Sequence, residues 1–307
     1  MSKEDQRAEL YDRMKMKKAV NIAALAGIFA IIVRLAAGLA VNRFFPGLSG
    51  STAFLFSVTC CTMLPPVVVY RLEFGKIKTL AVSGKKKRKG LGASCLSVLT
   101  GFGFCSAWNF LISMAYRLAG DSDSGTSANM LFTNVNELLF AVFAVVIAPA
   151  VCEEILFRGC VSGSLQPYGN GIAVLISALI FGMLHSGIRG AVFAFVSGIV
   201  LGLVRVYTGR LSAAVGVHLL NNLLAILTSA AGVFISAKAQ SLVFYLSGGA
   251  ACVLSAVGMT LIKAKKISAK SESLLSGMSF SGKLKLIAGE CPMLWIYLVL
   301  AAALMFF

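Results

Sequence analysis

Residues 138–159 read LLFAVFAVVIAPAVCEEILFRG, an apolar run that ends in two carboxylates and an arginine, Glu153, Glu154 and Arg158. The run is apolar on every side and lacks the alternation of a lipid-facing strand, so it reads as a membrane-crossing helix and not as part of a barrel. A charged side chain inside such a run costs from about 2.5 kcal/mol upward, which makes the pair of glutamates a functional-site hypothesis by default. The chain has only two histidines, His185 and His218, and both also fall inside apolar stretches.

The rest of the chain has the same character. Hydrophobic residues make up 58% and charged residues 13%, with a mean hydropathy of +0.86, well above the apolar content of soluble domains. Eight apolar runs are long enough to span a bilayer. They lie at 19–41, 52–72, 91–117, 134–158, 170–187, 190–208, 211–236 and 240–262, with a shorter ninth at 292–307. The expected fold is an all-α, polytopic transmembrane helical bundle of eight to nine spans. Residues 1–18 form a charged amphipathic segment on the cytoplasmic side, too long and too evenly charged for the n-region of a cleaved signal. Residues 19–133 supply the N-terminal helices, 134–236 a helical core holding the polar residues, and 237–307 the C-terminal helices with a lysine- and serine-rich cytoplasmic loop at 263–291.

Orientation follows from the basic residues, which concentrate in cytoplasmic loops. With nine spans, 22 of the 28 lysines and arginines fall on one side, the side of the N-terminus, and only Arg43, Arg117, Arg189 and Lys238 on the other. The expected location is the cell membrane, multi-pass, with a cytoplasmic N-terminus. The net charge of +16 is then a topology signal directed at anionic lipid, and no nucleic-acid partner is implied. The run from Lys85 to Lys89 belongs to the same signal. Arg34 stands inside the first span, with lipid or Glu137 as its candidate partners. The eight cysteines show no metal-knuckle spacing and read as small packing residues. Cys152, beside Glu153, is the one candidate for thiol chemistry. Gly198 and Gly202 form a GxxxG pair suited to close helix approach.

The polar residues converge by helix arithmetic alone. Glu154 and Arg158 are four apart and share a face, whereas Glu153 points about 100° away, and Pro149 interrupts the helix just before them. A tight connection falls at Gln166–Asn170. Counting from Tyr168, Glu154 lies about 21 Å along one helix and His185 about 25 Å along its antiparallel neighbour. From the turn at Arg210, His218 is about 12 Å and Asn222 about 18 Å along the next helix. All of these groups fall in one intramembrane layer.

The ordered motifs Glu153-Glu154-x-x-x-Arg158, Phe181-x-x-x-His185 and His218-x-x-x-Asn222 closely resemble those of the CPBP family, the CAAX protease and bacteriocin-processing or Abi group of intramembrane endopeptidases. The resemblance covers roughly residues 135–230. It implies hydrolysis of a peptide bond within or near the membrane, in removal of the last three residues of prenylated proteins, maturation or export-linked cleavage of small peptides, or bacteriocin processing or immunity, with a peptide or membrane-protein substrate favoured over a CAAX tail. The residue chemistry fits that activity. Glu153, desolvated beside a second carboxylate, is suited to take a proton from water, and His185 to orient that water. His218 and Asn222, one turn apart, are suited to donate to the oxyanion. Glu154 with Arg158, and Phe181, are support. No cofactor is expected, although a zinc held by two histidines and a glutamate is the alternative mechanism. Against it, Asn222 is a poor zinc ligand and the His-Glu-x-x-His helix is absent. A non-proteolytic membrane scaffold that regulates a sensor kinase or transporter, and a proton-coupled transporter, are the rival functions.

Overall fold

The computed structural model describes residues 3–44, 52–74, 89–120, 139–234, 236–264 and 273–305. Within these the secondary structure is helical, without strands. The helices are α1 Lys3–Phe44, α2 Thr52–Phe74 and α3 Leu91–Leu118, followed by the long irregular α4, Leu139–Tyr168. Then come α5 Asn170–Met183, α6 Gly187–Thr208, α7 Leu211–Phe234, α8 Ala237–Ala264, α9 Phe280–Glu290 and α10 Pro292–Ala303.

Six helices among the described residues are long and apolar enough to cross a membrane, namely α1, α3, α4, α6, α7 and α8, and the bent pair α9–α10 raises the number to seven. This is a multi-pass membrane protein, and the six to seven spans found among the described residues do not confirm the eight to nine expected from hydropathy. The 14 residues of α5 cover only about 21 Å, short of the roughly 30 Å hydrocarbon core. The 23-residue α2 carries Pro65 and Pro66 within it and also falls outside the set. The ninth expected run, 292–307, is a 12-residue helix that meets α9 at a 77° bend.

Helix α1 runs unbroken for 42 residues, from the charged N-terminal stretch into the first apolar run. The described part of the 263–291 region packs against the bundle. Its α9 buries Lys283 and Ile287, and Lys283 Nζ donates to Tyr168 O at 2.9 Å and to Ser273 Oγ at 2.8 Å. The basic run at 85–88, the acidic loop at 121–123, and Glu137 lie outside the described residues.

Packing falls into two apolar cores. The larger joins α1, α2, α4, α5, α9 and α10 around side chains such as Met16, Tyr70, Phe157, Ile180 and Tyr297. The smaller joins α3, α6 and α7 around Cys105, Leu201 and Val217. Small residues bring α5 and α6 together. A Cβ at Gly182 would meet Phe195 at 2.8 Å, one at Gly198 would meet Ala178 at 3.1 Å, and one at Gly202 would meet Val174 at 3.0 Å. The GxxxG pair thus lies in this seam, as close packing between membrane helices requires. Helix α4, part of the larger core, also packs against α7 and carries the carboxylates.

Candidate active site

Two π-helical turns, Val142–Ile147 and Ile155–Val161, bracket the α-helical stretch Ala148–Glu154. The first has a covalent cause. Pro149 has no N–H, so Val145 O loses the donor an α-helix would supply four residues on, and the chain widens so that Ala148 N–H reaches back to Phe143 O. Asn222 Nδ2 donates to the freed Val145 O at 3.1 Å, which ties α7 to α4 just below the carboxylates. At the second turn, Ser177 Oγ of α5 donates to Phe157 O at 2.8 Å. Each widened turn is therefore held by a side chain from a neighbouring helix.

The two glutamates occupy different environments. Glu154 is fully buried, and its Oε1 accepts from Arg158 Nη1 at 2.7 Å and from His218 Nδ1 at 3.0 Å. Arg158 is also buried, gives Nη2 to Gly198 O at 3.3 Å, and lies 4.3 Å over the Phe181 ring. The carboxylate can only accept, so His218 Nδ1 carries the proton and Nε2 is its other face. That face lies 3.8 Å from Glu153 Oε2. Glu153 keeps 15% of its side chain accessible. Phe181 packs beneath the group, edge-on to His185 at 4.8 Å and to His218 at 6.0 Å between centroids.

His185 sits beyond the end of α5, in the short turn before α6. A helix ending at membrane depth leaves carbonyls without partners, and these must be satisfied inside the protein. The end tightens, with Leu184 N–H donating to Phe181 O and His185 N–H to Gly182 O. His185 Nδ1 donates to Phe181 O at 3.0 Å, which leaves Nε2 as an acceptor. Tyr297 Oη donates to Ile180 O at 2.6 Å, and Arg34 Nη1 to Leu184 O at 2.6 Å. Arg34 thus places a positive charge at the negative end of the α5 dipole. Sequence reasoning located Arg34 within a span but did not join it to the site, and Tyr297 carried no signal at all.

A cavity of about 430 Å³ opens beside this turn, lined among others by Arg34, Thr59, Thr62, Glu153, His185 and Ser186. Glu153 and His185 therefore face one space, whereas Glu154, His218 and Asn222 stand behind or beside it. Cys152 is buried in the larger core near Cys60. His185 Nδ1 is tied to a backbone carbonyl and His218 Nδ1 to Glu154, and among the described residues no three His, Cys, Asp and Glu side chains are grouped to hold an ion.

A family model described as type II CAAX prenyl endopeptidase Rce1-like matches residues 135–224. Neither a curated protein nor a solved structure matches the chain. The matched stretch contains Glu153, Glu154, Arg158, Phe181, His185, His218 and Asn222 and excludes Arg34 and Tyr297. In its core segment, 135–224, this multi-pass helical membrane protein is thus similar to the CPBP/CAAX protease family, a family of membrane proteases.

Proposed function

We propose that the protein is an intramembrane endopeptidase that hydrolyses peptides or membrane-associated proteins with a water activated by Glu153. One observation carries this reading: Glu153 and His185 line a common cavity, while Glu154 is occupied by Arg158 and His218. A carboxylate and an imidazole Nε2, both acceptors, can take the two hydrogens of one water and leave its lone pair directed at a carbonyl carbon. Glu153 takes the proton as the water attacks and passes it to the departing amine.

His218 supports the negative charge that develops on the carbonyl oxygen. Its Nδ1–H on Glu154 orients the ring so that Nε2 faces the Glu153 side of the site, where it donates to that oxygen when the ring carries a second proton. Asn222 has one amide hydrogen on Val145 O and a second free to assist. This chemistry needs no metal. The lysine and arginine bias supports a cytoplasmic N-terminus.

The test is cleavage of a membrane-peptide library by the purified protein in nanodiscs. Wild type, Glu153→Ala and His185→Ala are compared, each with and without a strong chelator. Cleavage that is lost in both variants and resists chelator is the expected result. Loss on chelation with recovery on adding zinc would move the chemistry to a metallopeptidase, and cleavage surviving Glu153→Ala would end the proposal.

A further inference from the structure

The cavity contains a cation that the hydrolytic steps do not use. Arg34 projects from α1, outside the segment matched to the protease family, and lines the same space as Glu153 and His185. One of its five N–H groups is committed to Leu184 O at 2.6 Å. That bond fixes the guanidinium next to the residue that precedes His185. The other four N–H groups have no hydrogen-bond partner among the described residues, and Arg34 forms no salt bridge there, although the Glu153 carboxylate across the cavity feels its charge. Arg158, the other arginine at this depth, is already consumed by Glu154 and Gly198 O.

A guanidinium in a membrane span is costly and calls for an anion. Its fork matches a carboxylate in two-pronged fashion. The geometry points to Arg34 as the carboxylate-binding residue of the cavity, with the carboxylate supplied by the peptide substrate. This deepens the peptidase reading and rests on it. The role has a clear electrostatic sense, because a substrate carboxylate entering a space that holds Glu153 is repelled unless a fixed positive charge offsets it. It also sets a cut site. A compact cavity of this volume is roughly 9 Å across, so the bond facing Glu153 and His185 lies within a few extended residues of the bound carboxylate.

The carboxylate is either the peptide's C-terminus or an aspartate or glutamate side chain, and two matched pairs of libraries separate these. In one pair the peptides end in a free acid or an amide; in the other, internal Asp and Glu are retained or replaced by Asn and Gln. The full-length protein in nanodiscs should cleave the acid form of one pair at least tenfold faster at sub-saturating concentration. Arg34→Gln should bring that ratio to about one, and Arg34→Lys should keep part of it.

Equal cleavage within both pairs by the wild type overturns the inference. So does an Arg34→Gln protein that slows the acid and neutral forms by the same factor, since that is the signature of a residue that only caps α5. Photo-crosslinking of the same libraries to the Glu153→Gln protein gives an arm independent of turnover. If no library is cleaved yet acid peptides are retained in preference, and Arg34→Gln removes that preference, the binding site stands and the peptidase reading falls.

Discussion

Replacing Arg158 by methionine should be among the most damaging single changes in the protein. Both members of the Glu154–Arg158 pair have fully buried side chains, 2.7 Å apart. At an effective dielectric near 20 the gross attraction at that distance is on the order of 6 kcal/mol. Burial of the two charges offsets much of it, so the pair itself adds little net stability. Removing one member is different, because Glu154 then stays buried with only His218 as a donor. The expected cost of Arg158→Met is about 3–5 kcal/mol. The double variant Glu154→Gln/Arg158→Met removes both charges while the introduced amide keeps an oxygen for His218 Nδ1–H, and should cost less than either single change. Equilibrium unfolding in mixed detergent micelles, read from the fluorescence of Trp108 and Trp295, measures all four corners of the cycle. A single-variant cost below about 1 kcal/mol, or a double variant equal to the sum of the singles, refutes the reasoning.

The α5–α6 seam gives a second expectation. Gly182→Ala puts a methyl 2.8–3.0 Å from the Cβ, Cα and N of Phe195, so backbone must move, at about 1–3 kcal/mol. His185 is three residues on, and peptidase activity should fall by roughly 10–100-fold. Gly163→Ala, where nothing lies within 4 Å, is the control, and equal behaviour of the two variants would contradict the packing argument. The widened turn before the carboxylates gives a third. Asn222→Leu leaves Val145 O without its donor and should cost about 1–3 kcal/mol. In a Pro149→Ala background the restored backbone N–H takes over that carbonyl, and the same change should cost less than about 1 kcal/mol. An identical cost in both backgrounds would show that Pro149 does not cause the link.

Local signals in the sequence sufficed for much of the site. Glu154 and Arg158 meet because residues four apart share a face, even though the helix widens immediately after Glu154. Pro149 announced a break, but its form, a π-helical turn held by Asn222 from another helix, depends on a partner 77 residues away. Hydropathy misled at α5. Apolar residues continue to His185 and Gly187, so the run reads as a full span, while the helix stops at Met183. It can stop there because Arg34 and Tyr297, 150 and 117 residues distant in sequence, take carbonyls that would otherwise be stranded in hydrocarbon.

That arrangement also explains why the site needs more of the chain than its three motifs. The motifs carry the proposed reacting groups, but His185 lies on a terminus whose position is set partly from outside them. Tyr297 reaches Ile180 O only because Gly27 of α1 has no side chain, since a Cβ there would come 2.5 Å from the tyrosine ring. Helix α1 therefore acts twice on the α5 terminus, directly through Arg34 and by making room for the ring of Tyr297. Lys17 of α1 and Glu290 at the end of α9 also form an exposed ion pair, 2.7 Å apart, where α9 meets α10. The glycine, the tyrosine and the arginine lie outside the matched segment, yet all three bear on one short turn. The proposed chemistry lies in residues 135–224, while the turn that brings His185 to the cavity it shares with Glu153 is held in part by Arg34, Gly27 and Tyr297 outside that segment.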